Sequence, residues 1–246
     1  MIKGLYTATS AMISGLDRQQ ILAHNAANIE TPGFKQILTS LDDYLYTTVY
    51  STTNQNSYIG NLGLGVLTTP QVTDFTSGGI QYTENPFDLA ISGNGFFRIQ
   101  TPDGERYTRD GRFSRNAEGE LVTVDGYNVL DENGNTIILD SNDFTVATDG
   151  TYFDNGVSTG KIGIVNFEDP ALSLSRDVSN LYKADANPDT EVECTIKQSY
   201  LEMSNVNTAD LMTQMMMVSR FYEAAQMMVS TQDELLGKAI STLGRI

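Results

Sequence analysis

The stretch Leu211 to Gln232, LMTQMMMVSRFYEAAQMMVSTQ, decides how the rest of the chain is read. Starting there, Leu211, Met215, Val218, Tyr222, Ala225, Val229, Gln232, Leu236, Ala239, Leu243 and Ile246 alternate by four and three without a break, and neither Pro nor Gly intervenes before Gly237. That spacing predicts a long helix with a heptad seam. Met216, Met217, Phe221, Ala224 and Met228 widen the apolar surface past what one partner helix covers. Much of this helix is therefore expected to be enclosed by neighbours.

The opposite end of the chain carries a fainter copy of the rhythm in Leu5, Ala8, Met12, Gly15, Gln19, Leu22, Ala26 and Ile29. Its end is sharply marked by Thr31-Pro32-Gly33, because Pro lacks an amide donor and biases the residue before it toward extended geometry. Asn25 and Asn28 are placed to hydrogen-bond to neighbouring chains or to local backbone as the helix stops. Phe34 would anchor the turn by burial, worth about 1.5 to 3 kcal/mol. Gly33→Val is expected to leave the monomer soluble and to block assembly if Gly33 holds a positive φ. Stripes of this kind are ordinary core in most helical domains. Here they sit at the two extremes of one chain, so they are expected to pair with each other and with copies of themselves.

Between them the pattern changes. FDLAISGNGFFRIQ alternates into a strand, and the run from Tyr107 to Phe153 breaks into short apolar pieces at Asp-Gly, Glu-Gly and Asn-Gly turns. The expected fold class is α+β: a mainly-β central domain of short antiparallel strands between long terminal helices that pack as a coiled coil. Residues 36–75, with Tyr44, Tyr46, Tyr50 and Tyr58 among Thr, Ser, Asn and Gly, read as an irregular linking segment that orders on contact with neighbours. The expected division is 1–35 helix and joint, 36–75 link, 76–200 β-rich domain and 201–246 heptad helix.

Charge follows the same division. Three basic residues face two acidic ones in Met1–Lys35, nine face twenty-four in Gln36–Tyr200, and three face five in Leu201–Ile246, within a net charge of -16. An acidic middle repels nucleic acid and anionic lipid. No run approaches the roughly 20 apolar residues of a membrane span, and the first twenty residues are too polar for the apolar centre of a cleaved signal peptide. Cys194 is the only cysteine, which excludes an intrachain disulfide, and it reads as a small core residue.

No catalytic pattern stands out. His24, the only histidine, falls beside the helical seam, and no Gly-rich phosphate loop, nucleophile with a placed base or His/Cys metal spacing occurs. DENGN from Asp131 has the look of a calcium loop, but its twelfth position is Asn142 where a bidentate Glu is needed, so it reads as a turn. The glycines of GNGFF permit a tight turn before a buried Phe pair. A carbohydrate-active β module with two carboxylates about 5 to 10 Å apart is the competing class. The chain has no Trp, the usual sugar-stacking residue.

GLYTATSAM with NAANIETPGFK, NPFDLAISGNGFFRI, YTRDGRFSRNAEGELVTVDGYNVL and LEMSNVNTADLMTQMMMVSRFYEAAQMM, in that order over nearly the whole chain, resemble the rod and hook proteins of the bacterial flagellum. The pairing of Ser204-Asn205-Val206-Asn207 with the distant TPGFK is the specific part; Ala225-Gln226 departs from the pair the family often has there. The resemblance implies a non-enzymatic structural subunit without cofactor, found in the flagellar basal body. It implies export through the flagellar type III apparatus without a cleaved signal and helical assembly into a hollow tube, with the helices as inner wall. The implied partners are copies of itself, adjacent rod proteins, hook protein, the export apparatus and ring proteins around the rod, with no nucleic acid and no membrane insertion. Asp42–Val66 resembles the segment that distal rod proteins carry after the first helix, which favours the distal over the proximal rod; hook proteins are usually longer.

Overall fold

The computed structural model describes residues 2–44, 46–50, 58–141, 143–177, 180–185, 188–189 and 194–243. Asn142 and Ile246, each given a part by the sequence, lie outside them. The chain divides into two compact units: a terminal unit of Met1–Ala27, Ile37–Val72 and Asn207–Ile246, and a central unit of Asn28–Gln36 and Thr73–Val206.

The terminal unit is built on two long helices, α1 (Ile2–Ala27) and, after the single-turn α2 (Pro170–Ser173) of the central unit, α3 (Thr208–Leu243). α1 and α3 pack side by side. A Cβ added at Gly4 would lie 3.5 Å from Gln232 Nε2, and one at Gly15 would lie 3.7 Å from Phe221 Cδ1. The two helices therefore run antiparallel. From Asn207 to Thr242 the residues not fully exposed are Leu211, Gln214, Met215, Val218, Tyr222, Ala225, Val229, Gln232, Leu236 and Ala239. Apart from Gln214 these are the four-three positions, so a single stripe of α3 is covered.

Within 36–75 the described residues include paired strands. Leu41–Asp43 pairs antiparallel with Val66–Thr68, and Tyr46–Tyr50 pairs with Tyr58–Gly63, forming a two-stranded ribbon. A two-stranded ribbon is marginal in water by itself, and this one is held by the hydroxyl face of α1. Thr7 Oγ1 donates to Leu64 O at 3.4 Å, Ser10 Oγ accepts from Val66 N at 3.1 Å, and Ser14 Oγ donates to Val66 O at 3.1 Å. Helical spacing thus presents one hydroxyl after another to the polar groups of a strand. Tyr44, Tyr46, Tyr50 and Tyr58 remain more than half exposed on the ribbon.

The central unit is antiparallel β. Its largest sheet runs Phe113–Arg115, Leu121–Thr123, Asn128–Val129, Phe96–Thr101, Gly104–Thr108, Tyr182–Ala184 and Leu174–Arg176, with Ile164–Val165 also on Phe96–Thr101. FDLAISGNGFFRIQ forms two strands, Leu89–Ser92 and Phe96–Thr101, with the turn expected of the GNGFF glycines between them, Gly93 and Gly95 standing at φ +115° and +140°. Consecutive residues of a strand point to opposite faces, and here both faces are covered. Phe97 packs with Leu89, Phe113, Leu121, Val129 and Ile137. Phe96 packs with Tyr107, Val165, Phe167 and Tyr182. Asp131 holds its turn through Oδ1, which accepts from Asn133 N at 2.8 Å and Asn135 N at 2.7 Å.

Because Phe97 is wholly buried, Phe97→Ala should cost the central unit about 3 to 5 kcal/mol. Val124→Ala, at a site 68% exposed, should change stability by less than about 0.5 kcal/mol. Urea unfolding of both variants reads the difference, and equal midpoints would contradict the two-faced core.

Candidate functional site: the joint and the helix faces

The joint is built inside the central unit from three pieces of chain that are remote in sequence. Thr31 N donates to Asn28 O at 3.2 Å and Thr31 Oγ1 to Asn28 Oδ1 at 3.3 Å, which closes the turn after α1. Asn180 Nδ2 reaches Pro32 O at 3.3 Å. Gly33 follows at φ +68°, its N–H donating to Glu202 O at 2.7 Å. A Cβ there would stand 2.4 Å from both Arg109 C and Asp110 N, so the position admits no side chain on either count. Phe34 is fully buried, with the Arg176 guanidinium 4.6 Å above its ring.

Lys35 comes next and is the first of three buried charges. Its Nζ donates to Glu202 Oε1 at 2.6 Å and to Thr76 O at 2.8 Å. The same Glu202 Oε1 accepts from Gly78 N at 2.9 Å, and Oε2 accepts from Arg109 Nη1 at 3.1 Å. Arg109 Nη2 continues to Gly93 O at 2.9 Å. The side chains of Lys35, Glu202 and Arg109 are 1%, 2% and 3% exposed. Burial depresses the basicity of both Lys35 and Arg109, against the pull of Glu202. Removing Glu202, the one carboxylate both cations share, strands them away from water, at about 3 to 5 kcal/mol.

Asn205 finishes the joint. Its Oδ1 accepts from Gln36 N at 2.8 Å while Nδ2 donates to Asp74 O, Thr76 O and Thr76 Oγ1. Ser204 Oγ accepts from Val206 N at 3.3 Å. The TPGFK and SNVN motifs are thus two sides of one structure. In the terminal unit Asn207 caps α3, accepting from Ala209 N at 2.9 Å. Asn25, wholly buried, matches both backbone groups of Ile37: Nδ2 donates to Ile37 O at 2.8 Å and Oδ1 accepts from Ile37 N at 3.0 Å. Its amide does the work of one residue of a paired strand.

On α1, Ala8 and Leu22 are buried and Leu5, Met12 and Ala26 half-buried, while Gln19 is exposed; Ile29, just beyond the helix, is half-buried. Leu243 ends α3. The remainder of α3 exposes Met212, Met216, Met217, Phe221, Met227 and Met228. Gly15, Arg18, Leu41, Met217, Val218 and Phe221 line a hollow of about 230 Å³ on this unit. Cys194 is half-buried against the Phe97 core, and burial pushes its thiol up, away from nucleophilic use. Among the described residues no group of His, Cys, Asp and Glu is arranged to hold a metal ion.

The sequence pattern did not single out Lys35, Arg109 and Glu202 as a set. Glu202 sits between Leu201 and Met203 in a strand, an ordinary alternation, and 167 positions part it from Lys35. The only local hint is a Lys directly after the apolar Gly-Phe turn.

Three family models match the chain. One described as flagella basal body rod protein covers residues 5–35, one described as flagellar hook protein FlgE/F/G D1 domain covers 90–153, and one described as flagellar basal body rod FlgEFG protein C-terminal covers 197–242. The chain is similar to the flagellar basal-body rod protein FlgF of Caulobacter vibrioides, at 34% identity over 250 residues and 100% of each chain. It is similar to the flagellar basal-body rod protein FlgG of Bacillus subtilis, at 33% identity over 98% of this chain and 99% of that one. It is also similar to the flagellar hook-basal body complex protein FlhO of Bacillus subtilis, at 32% identity over all of both.

Gly33 holds the positive φ on which the expectation for Gly33→Val depends, and the clash of a side chain falls inside the central unit itself. The substitution should destabilise that unit by at least about 3 kcal/mol, seen as an earlier urea midpoint of the isolated chain. An unchanged midpoint would show that the joint can yield.

Proposed function

The chain belongs to the flagellar basal-body rod protein family, and from that premise we propose that it is a structural subunit of the distal rod. It assembles helically into the hollow drive shaft that carries torque from motor to hook and passes exported subunits. Copies meet through α1 and α3, which pack as a coiled coil in the assembled wall, and the rod in turn meets adjacent rod proteins and hook protein. The functional parts are the helix and joint of 1–35, the link of 36–75, the β-rich body of 76–200 and the helix of 201–246. Export proceeds by the flagellar type III route.

One observation carries the reading. Between Leu211 and Gln232 the helix holds only two charged residues, Arg220 and Glu223, yet it exposes five methionines and Phe221. Apolar surface of this extent is a binding surface, and Met adapts its shape to irregular neighbours. The hollow beside Gly15 and Arg18 gives a neighbouring copy a place to seat a side chain. The distal assignment rests on the segment Asp42–Val66, since relatives named FlgF and FlgG match the chain to the same degree.

Paired Met216→Glu and Met217→Glu should leave helix content and solubility of the monomer unchanged and abolish polymerisation and motility. Normal rods in the double variant would remove α3 from the wall. Electron microscopy of basal bodies from a strain without the gene separates the positions: a short rod without hook supports the distal reading, and a stop at the rod base supports the proximal one.

A further inference from the structure

The joint contains an imbalance of charge that no contact described so far uses. Around Glu202 stand two cations, Lys35 and Arg109, and a single carboxylate serves both. Donors are in excess as well: among the described residues Arg109 Nε is buried without a hydrogen-bond partner. The other groups facing the cluster do not restore balance. Asp74 lies on the adjoining segment, half-buried, and attracts Lys35. Arg176 adds a further cation beside Phe34, with Nη1 3.5 Å from Lys35 O. Tyr182 is wholly buried, which pushes its phenol up to about 12 and keeps it neutral. Cys194, near Arg109, has its thiol pushed up by burial too.

Arg keeps its proton in proteins, whereas Lys can lose one. Loss of that proton breaks no hydrogen bond here. A neutral amine retains two N–H groups, and Lys35 Nζ makes two donations, to Glu202 Oε1 and Thr76 O. What remains is one guanidinium against one carboxylate, a balanced buried pair. We propose that the Lys35–Glu202–Arg109 cluster is a pH-sensitive latch that holds residues 33–36, 74–78 and 202–205 together in two charge states and is tighter when Lys35 is neutral. These are the segments by which the chain enters and leaves the central unit, so the latch governs how firmly that unit is closed on its connections. It stands on the central unit alone, whatever position in the rod the chain occupies.

The sign of the pH dependence follows from the depressed basicity of Lys35. Below its folded-state pKa, folded and unfolded chains both carry the proton, and the cost of burying the charge is felt in full. Between that pKa and 10.5 only the unfolded chain carries it, so stability rises with pH and levels off above 10.5. Each pH unit between the two values changes the unfolding constant by a factor of ten.

The test is urea unfolding of the full chain, Lys35→Met and Glu202→Gln between pH 6 and 10.5, followed by circular dichroism. Subtracting the Lys35→Met profile isolates Lys35 from the tyrosines and lysines that titrate in the same range. The difference should grow in favour of the unsubstituted chain as pH rises, Lys35→Met should be no less stable than it at pH 7, and Glu202→Gln should raise the unfolding constant at least 100-fold. Parallel profiles, or a Lys35→Met chain as damaged as Glu202→Gln, would overturn the latch. A second readout needs no variant: the ¹³Cε resonance of Lys35 in the folded, labelled chain should titrate below 10.5 with the fold intact. Titration at or above that value, or loss of the fold as Lys35 titrates, overturns the latch equally.

Discussion

The carboxylate of Glu202 is the constraint from which the central unit's connections are organised. It accepts from Lys35, Gly78 and Arg109 while its own backbone carbonyl accepts from Gly33. Three chain segments with no sequence proximity are thereby fixed in register by directional bonds. An apolar cluster of the same volume could match the burial energy, since buried ion pairs carry a large desolvation cost. It would not define which residue of each segment lies opposite which, as three hydrogen bonds to one carboxylate and a fourth to the same residue's carbonyl do. Gly33 completes the constraint, because only a residue without Cβ brings its amide this close to the backbone at Arg109.

In the terminal unit the same economy of polar contacts appears on a helix. α1 serves two partners with two different faces. Its apolar stripe meets α3, while Thr7, Ser10, Ser14 and Asn25 supply hydrogen bonds to the extended chain at Leu64, Val66 and Ile37. Hydroxyls and amides are poor choices for a helix interior taken alone, and here they are the means by which strands without a sheet around them are kept in place. α3 has no second face of this kind. Its coverage ends at the four-three stripe.

This difference explains what the sequence could and could not reveal. The four-three alternation reads as one stripe of a helix, and from Leu211 to Ala239 the positions it marks on α3 are the covered ones. The strands Leu41–Asp43, Tyr46–Tyr50, Tyr58–Gly63 and Val66–Thr68 were illegible because strands in which no residue is fully buried need no strict apolar alternation; Thr, Tyr and Asn fill much of them instead. The hydroxyl stripe of α1 gave no signal of its own: its partners are backbone groups, which leave no trace in side-chain periodicity. The TPGFK joint was legible as a helix stop from Pro and Gly, but its charge cluster was not. A lone Lys, Arg or Glu in an acidic chain carries no label for its partner across 93 or 167 positions.

The charge cluster also bears on how the surface of the chain is to be counted. Residues 36–200 have fifteen more acidic than basic side chains, and burial removes the two signs alike, Arg106 and Arg109 against Asp88 and Asp154. Lys35 and Glu202 add one more of each sign at the joint, so the solvent-facing part of the central unit keeps the acidic excess of its composition. Two such surfaces repel at distances up to about a Debye length, near 8 Å at physiological salt, while the stretch Leu211–Gln232 of α3, with one Arg and one Glu, carries no net charge to oppose contact. For the assembly proposed above, contact through the helices is served from both sides: α3 offers apolar surface without net charge, and acidic surface disfavours approach through the central unit.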